Sequence, residues 1–156
     1  MTVQPGQMLS HYRLEKKIGE GGMGTVWLAE DTVLQRRVAV KFLPEPFAHD
    51  AERLARFRRE ARLLASLNHP NIAAIYGLEQ ADSTDFLVLE HVPGETLAER
   101  LAAGRLPVEE ALKVGGQLAH AVEAAHSHAP DVGSPVQGPA RERIINLDPC
   151  VTAVTF

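Results

Sequence analysis

The chain has 156 residues, 45% of them hydrophobic and 23% charged, a composition typical of a soluble globular protein rather than a disordered one. Its formal net charge of -4 gives no reason to expect binding to nucleic acid or to a membrane surface. The start of the chain lacks the pattern of a secretion signal, no apolar run is long enough to span a bilayer, and the single cysteine, Cys150, excludes an intrachain disulfide. We therefore expect a cytoplasmic protein.

The first part of the chain predicts two strands joined by a glycine-rich turn. Residues 12–18 mix apolar and charged side chains as a half-buried strand does, and residues 25–29 are rich in β-formers. Between them stands the run Gly19-Glu20-Gly21-Gly22-Met23-Gly24. Its glycines would let backbone N–H groups approach phosphate oxygens, but a simple hairpin turn explains them as well. The run is followed by a strand rather than a helix and lacks a closing Gly-Lys-Ser/Thr, which excludes dinucleotide-binding and Walker-type loops.

Residues 37–42 predict a third strand, and a helix with one apolar face follows it. Alternate residues of a strand share a face, so Ala39 and Lys41 point the same way. This pair suits a nucleotide, because a small residue leaves room for the flat base and the ammonium can bind phosphates. Such a lysine needs an anion to hold it, and Glu60 on the helix is the candidate. Taken alone, each charged residue is more typical of a solvated surface position.

The remaining elements are two strands, a hinge and two helices. Residues 72–78 and 86–89 predict the fourth and fifth strands, and the Pro-Gly pair at 93–94 predicts a hinge. A short helix is expected from residue 96 to about residue 103, and a longer one from residue 107 onward. His120, His126 and His128 do not place two ligands on one helical face beside a third, so surface positions are favoured over a metal site.

The longer helix carries an apolar stripe with little in the sequence to cover it. Burying one Leu or Val is worth about 1.5 to 3 kcal/mol, so we expect marginal solubility, self-association or capture by a partner. The stripe consists of Val108, Ala111, Leu112, Gly115, Leu118, Val122 and Ala125.

After residue 129 the composition changes, and residues 130–156 predict a poorly ordered tail.

Four segments of the chain form a recognisable set: Ile18 to Val26, Val38-Ala39-Val40-Lys41, Arg58-Arg59-Glu60-Ala61 and Leu67-Asn68-His69-Pro70-Asn71-Ile72. In this order they resemble the small lobe of bacterial serine/threonine protein kinases of the eukaryotic (Hanks) type. The resemblance covers residues 10–129 and implies an α+β fold, with a five-stranded antiparallel sheet and one long helix, followed by two helices of an incomplete large lobe. It divides the chain into an N-terminal segment, residues 1–11, an ATP-binding small lobe, residues 12–92, and the hinge with the first large-lobe helices, residues 93–129.

The resemblance also implies roles for individual residues. Lys41 would bind the α- and β-phosphates of ATP, and Glu60 would pair with Lys41. Leu89 matches the gatekeeper, and the backbones of Glu90 and Val92 match the hinge that hydrogen-bonds the base. The adenine would lie between Ile18, Val26 and Ala39. The full implied ATP site is Ile18, Gly19, Glu20, Gly21, Gly22, Met23, Gly24, Val26, Ala39, Lys41, Leu89, Glu90 and Val92.

Three further motifs of these kinases, His-Arg-Asp, Asp-Phe-Gly and Ala-Pro-Glu, do not occur among the 156 residues. In the family His-Arg-Asp supplies the catalytic aspartate, and the Asp-Phe-Gly aspartate with an asparagine downstream of His-Arg-Asp supplies the Mg²⁺ ligands. Asp131, Asn146 and Asp148 stand in no matching motif, so we assign them no role and no metal. The sequence leaves two hypotheses open. The chain is the ATP-binding portion of a truncated kinase, inactive alone and binding ATP weakly, or a non-catalytic module that binds nucleotide or pairs with another kinase.

Overall fold

The computed structural model describes residues 3–21, 24–42 and 51–127. Its main element is an antiparallel sheet of six strands in the order β1-β2-β3-β4-β6-β5. The strands are β1 Met8–Leu9, β2 Tyr12–Gly21, β3 Gly24–Asp31, β4 Arg36–Phe42, β5 Ile75–Ala81 and β6 Thr84–Glu90. The helices are α1 Ala51–Ala65, α2 Leu97–Ala102 and α3 Val108–Ser127. The predicted tail, residues 130–156, lies outside the described residues.

The expected strand count of five was wrong, because β1 adds a sixth strand. Met8 pairs with Arg13 and Leu9 pairs with Tyr12, so β1 extends the edge of the sheet beside β2. Leu9 is fully buried, and the burial of its side chain helps to offset the cost of ordering this segment. A strand of two residues is too short to show alternation in the sequence. The fourth predicted strand also begins later than expected, at Ile75.

The sheet curls around a core built on one of its faces. The ring centroid of Phe86 lies 6.1 Å from that of Tyr12 and 6.0 Å from that of Phe42. The Tyr12 hydroxyl donates to Glu79 Oε1 at 2.7 Å, which joins β2 to β5 although these strands lie far apart in the strand order. Twisted sheets curl in this way to enclose apolar side chains. The core residues are Leu9, Tyr12, Leu14, Trp27, Ala29, Val38, Val40, Phe42, Phe86 and Val88.

A buried carboxylate organises the turn between β3 and β4. Asp31 Oδ1 accepts the backbone N–H groups of Leu34 at 3.0 Å and Val33 at 3.1 Å. The hydrogen bond from Leu34, followed by that from Val33 and by the nearby charges of His11 and Arg36, holds the pKa of Asp31 below its usual value despite burial. Asp31 therefore stays ionised at neutral pH and fixes the turn.

The chain divides into two units. The sheet and α1 form one, and Leu67–Ala73 group with Val92–Ser127 in the other. In the second unit, a capping box starts α2: Thr96 Oγ1 accepts the N–H of Glu99 at 3.1 Å, and Glu99 Oε2 accepts the N–H of Thr96 at 2.7 Å.

The apolar stripe predicted on α3 is largely exposed. Val108 and Leu112 are 77% and 72% exposed, whereas the residues that α3 buries, Val114 and Ala121, lie outside the predicted stripe. Within the described ranges, no helix has the length and apolarity that crossing a membrane requires.

Candidate functional site

The sheet face opposite the core carries two rows of cross-strand neighbours. Residues paired across antiparallel strands lie on the same face, as do alternate residues of one strand. Neighbouring strands are about 4.8 Å apart, so Gly19 and Lys41, two strands apart in one row, are separated by roughly 10 Å. The first row is Gly19, Val26, Lys41, Leu87 and Leu78, and the second is Leu28, Ala39, Leu89 and Ile75. We call this side of the sheet the Lys41 face.

Lys41 is a buried cation in a mostly apolar setting. Its residue is only 8% exposed, and its direct cross-strand neighbours, Val26 and Leu87, are also buried. Ala39 lies on the same face, as the alternation predicted. Burying an ammonium is costly unless an anion compensates its charge, so this position favours interaction with a negatively charged group.

The glycine run forms the predicted hairpin. Gly21 pairs with Gly24, and the two residues between them, Gly22 and Met23, lie outside the described residues. Gly24 has φ +114°, a conformation that residues with a Cβ rarely adopt, so the end of the turn requires glycine.

Two side chains of β2 near the hairpin face solvent. Ile18 lies at a register irregularity in β2 and is 39% exposed, so it offers apolar surface to a ligand. Glu20 Oε2 accepts a hydrogen bond from Lys17 Nζ at 2.6 Å at the exposed surface.

The end of β6 is fixed against the residue that precedes β5. The Glu90 N–H donates to the Ala74 carbonyl at 2.8 Å, and Glu90 Oε2 accepts the Ala74 N–H at 3.0 Å.

The residues around Glu90 differ in their surroundings. Burial and the nearby charge of Arg37 lower the pKa of His91, the next residue, so His91 is neutral at pH 7. Leu89 lies in the second row opposite Ala39, whereas Val92 belongs to the second unit.

Helix α1 carries Glu60, but the side chain of Glu60 lies outside the described part of the structure, and its pairing with Lys41 stays a prediction. The side of the sheet on which α1 packs is nevertheless clear. Arg58 of α1 donates from Nη2 to Asp85 Oδ1 at 2.6 Å, and Asp85 lies on the Lys41 face because it is two residues before Leu87. The sequence analysis did not predict this ion pair. The one feature of the sequence that could have indicated it is the position of Arg58, which lies one turn from Leu54 and Ala61 on the apolar side of the helix.

A family profile described as the protein kinase domain matches residues 12–130 of the chain. The chain belongs to the protein kinase family. It is 45% identical over 118 residues to the serine/threonine-protein kinase PrkC of Bacillus subtilis, covering 75% of this chain and 18% of PrkC. It is 46% identical over 134 residues to the serine/threonine-protein kinase PknA of Mycobacterium tuberculosis, covering 81% of this chain and 31% of PknA. The resemblance to bacterial serine/threonine kinases is confirmed, and the chain spans less than a third of either relative.

A solved kinase structure supports the same fold. The crystal structure of the Mycobacterium tuberculosis PknI kinase domain superposes with a TM-score of 0.72 at 27% identity, over 82% of this chain and 52% of that domain. Protein kinases use ATP with Mg²⁺, so the Lys41 face must be compared with those two ligands. Across residues 3–21, 24–42 and 51–127, no three His, Cys, Asp or Glu side chains converge as a metal site.

Proposed function

We propose that this chain binds ATP on the Lys41 face, as the ATP-binding portion of a serine/threonine protein kinase. The observation that carries the proposal is the buried ammonium of Lys41 in one cross-strand row with Gly19 and Val26. A buried cation near a glycine hairpin can meet phosphate oxygens at short range, where the low dielectric strengthens the attraction. In this proposal residues 12–92 form the ATP-binding lobe and residues 93–129 begin the large lobe.

Each part of the face has a proposed role. Lys41 contacts the α- and β-phosphates with Glu60 as its counter-ion, and the backbone of residues 19–24 covers the phosphates. The adenine stacks against Ile18, Val26 and Ala39. Ala39 ends at Cβ, so it leaves a flat space between its row neighbours Leu28 and Leu89. The backbones of Glu90 and Val92 hydrogen-bond the base.

Phosphoryl transfer to serine or threonine needs groups that the 156 residues do not contain. The reaction depends on a base for the substrate hydroxyl and on metal ligands that neutralise the developing charge. The His-Arg-Asp and Asp-Phe-Gly motifs that supply them in the family are absent from the sequence. We therefore propose that the chain by itself binds ATP weakly and does not transfer the phosphoryl group.

Calorimetric titration with ATP tests the proposal. Lys41→Met should weaken binding by at least about tenfold, because it removes a charge-assisted contact to phosphate. Lys113→Met is the matched control, since Lys113 is exposed on α3, and it should bind as the wild type does. The fluorescence of the buried Trp27 reports whether each variant is folded. No heat at millimolar ATP, or an unaltered affinity in Lys41→Met, would overturn the assignment.

A second candidate function is a non-catalytic module that associates with itself or with another kinase. The supporting observation is the exposure of Leu101, Val108 and Leu112 in the second unit. Val108 and Leu112 lie one turn apart on α3, so they form a contiguous apolar surface. Sedimentation velocity should show mass increasing with concentration, and the double variant Val108→Glu/Leu112→Glu should remain monomeric. A wild-type chain that is monomeric at every concentration counts against this candidate.

A further inference from the structure

An ion pair ties helix α1 to the beginning of β6. Arg58 donates to Asp85 Oδ1 from both Nη2, at 2.6 Å, and Nε, at 3.3 Å. Asp85 is only 9% exposed, and its second oxygen lies 3.5 Å from Gln80 Nε2. A carboxylate this deeply buried loses most of its hydration, so removing its cationic partner leaves a charge without compensation. The Arg58 side chain is 41% exposed, so water screens part of the attraction, but the two hydrogen bonds make the contact a directional link between the helix and the sheet.

The pair lies close to the residues that the kinase assignment places at the phosphates. Asp85 shares the Lys41 face with Leu87, the direct cross-strand neighbour of Lys41, and the two β6 residues are about 7 Å apart along the strand. On the other side, Glu60 is two residues after Arg58 in α1, about 3 Å along the helix axis. The ion pair thus joins the helix that carries Glu60 to the strand beside Lys41.

The described apolar contacts of α1 do little to fix its rotation. Of the described side chains on its inner side, Ala61 is buried but small and Leu54 is only half-buried. Such contacts are non-directional, so they tolerate rotation or sliding of the helix. A rotation by one residue step, about 100°, would carry Arg58 away from Asp85 and break both hydrogen bonds. Arg58–Asp85 is a directional contact of the described part of α1 that resists this motion.

We propose that Arg58 and Asp85 are positioning residues: their ion pair sets the rotation of α1 on the sheet and so the approach of Glu60 to Lys41 and to the phosphates of ATP. The role in nucleotide binding rests on the proposed function above. The role in helix placement does not, because it follows from the contact itself. The two parts are tested separately.

Helix placement is tested without nucleotide by distances between spin labels. In a Cys150→Ser background, labels at Val33→Cys and Ala65→Cys occupy two exposed positions, one in the β3–β4 turn and one at the end of α1. The parent pair should give one narrow distance distribution, and Asp85→Asn should broaden or shift it. The control, Asp82→Asn, removes the same charge from an exposed residue of the same hairpin, and its φ of +49° suits asparagine. Identical distributions in Asp85→Asn and the parent would overturn the proposal.

The nucleotide role is tested by NMR titration with ATP and with adenosine, which lacks phosphates. Arg58→Gln and Asp85→Asn should each weaken ATP binding by about tenfold, a typical coupling between a remote contact and a ligand. Adenosine affinity should not change, and the double variant should be no weaker than either single variant. Arg59→Gln, at an exposed neighbour on α1, should match the wild type.

The outcomes separate the claims. Equal losses for ATP and adenosine would show a merely structural role, and unchanged ATP binding would overturn the positioning role. If the wild type binds no ATP, the proposed function fails, and the label distances alone decide whether the ion pair places α1.

Discussion

The hydroxyl of Tyr12 joins β2 to β5, and Tyr12→Phe removes this one bond while keeping the ring. The edge-on contact with Phe86, 6.1 Å between centroids, survives the substitution, so the core volume is unchanged. The lost hydrogen bond has a charged acceptor, Glu79 Oε1, at 2.7 Å. Such bonds contribute about 1.5 to 3 kcal/mol, and because Glu79 is half-exposed and regains water, we expect a loss of about 1.5 kcal/mol in the free energy of unfolding.

Urea unfolding followed by Trp27 fluorescence measures this loss. Trp27 is the sole tryptophan of the chain and is buried in the same core cluster as Tyr12. Tyr76→Phe is the matched control: Tyr76 is exposed, its ring lies 3.9 Å below the Arg36 guanidinium, and that contact remains in the variant. Its effect should stay below about 0.5 kcal/mol. Equal unfolding midpoints for the two variants would refute the reasoning.

The same bond predicts a dependence on alkaline pH. Burial, together with the hydrogen bond to Glu79 and its negative charge, raises the pKa of Tyr12 above its usual value of about 10. The folded state therefore holds the phenol proton more tightly than the unfolded state does. The resulting stability is complete below about pH 10 and declines as the pH rises above it. Tyr12→Phe should show a smaller alkaline decline, and an identical decline in both proteins would contradict this cause.

Two further substitutions test the turns at the ends of β3. Asp31→Asn should cost about 1 to 2 kcal/mol in urea unfolding, since it weakens the bonds to Val33 and Leu34. Folding lowers the pKa of Asp31, so the stability that its carboxylate contributes is complete above about pH 4 and declines as the pH falls. Asp31→Asn should therefore lose less stability in acid than the wild type does. If the stability of both proteins declined equally in acid, the ionised Asp31 would not be the cause. Gly24→Ala should destabilise by about 1 kcal/mol or more because of the positive φ, whereas Gly116→Ala, within α3 and with open space at its Cβ, should not. A Gly24→Ala variant as stable as the wild type would show that the turn tolerates a side chain.

Local patterns predicted the elements that build the candidate site. The alternation of apolar residues around Ala39 and Lys41 predicted a strand with both side chains on one face, and the pairing of β4 with β3 and β6 agrees. The glycine run predicted the hairpin that Gly21 and Gly24 close. These predictions succeed because the period of a strand and the conformational freedom of glycine are properties of the residues themselves.

Contacts between distant segments could not be predicted in the same way. Tyr12 meets Glu79 across 67 positions of sequence, and Arg58 meets Asp85 across 27. Asp85 has the sequence environment of a turn residue, yet it is buried, because the hairpin of β5 and β6 presents it to α1. Whether such a carboxylate is solvated or ion-paired depends on which helix packs above it.

By itself, the sequence determined the order and type of most elements, the shared face of Ala39 and Lys41 and the resemblance to the kinase family. Only the tertiary structure decided that β1 joins the sheet, that the sheet curls until Tyr12 reaches Glu79, and that Arg58 anchors α1 on the Lys41 face. The physical reason is that periodicity and turn chemistry act over a few residues, whereas packing and charge pairing depend on which surfaces meet.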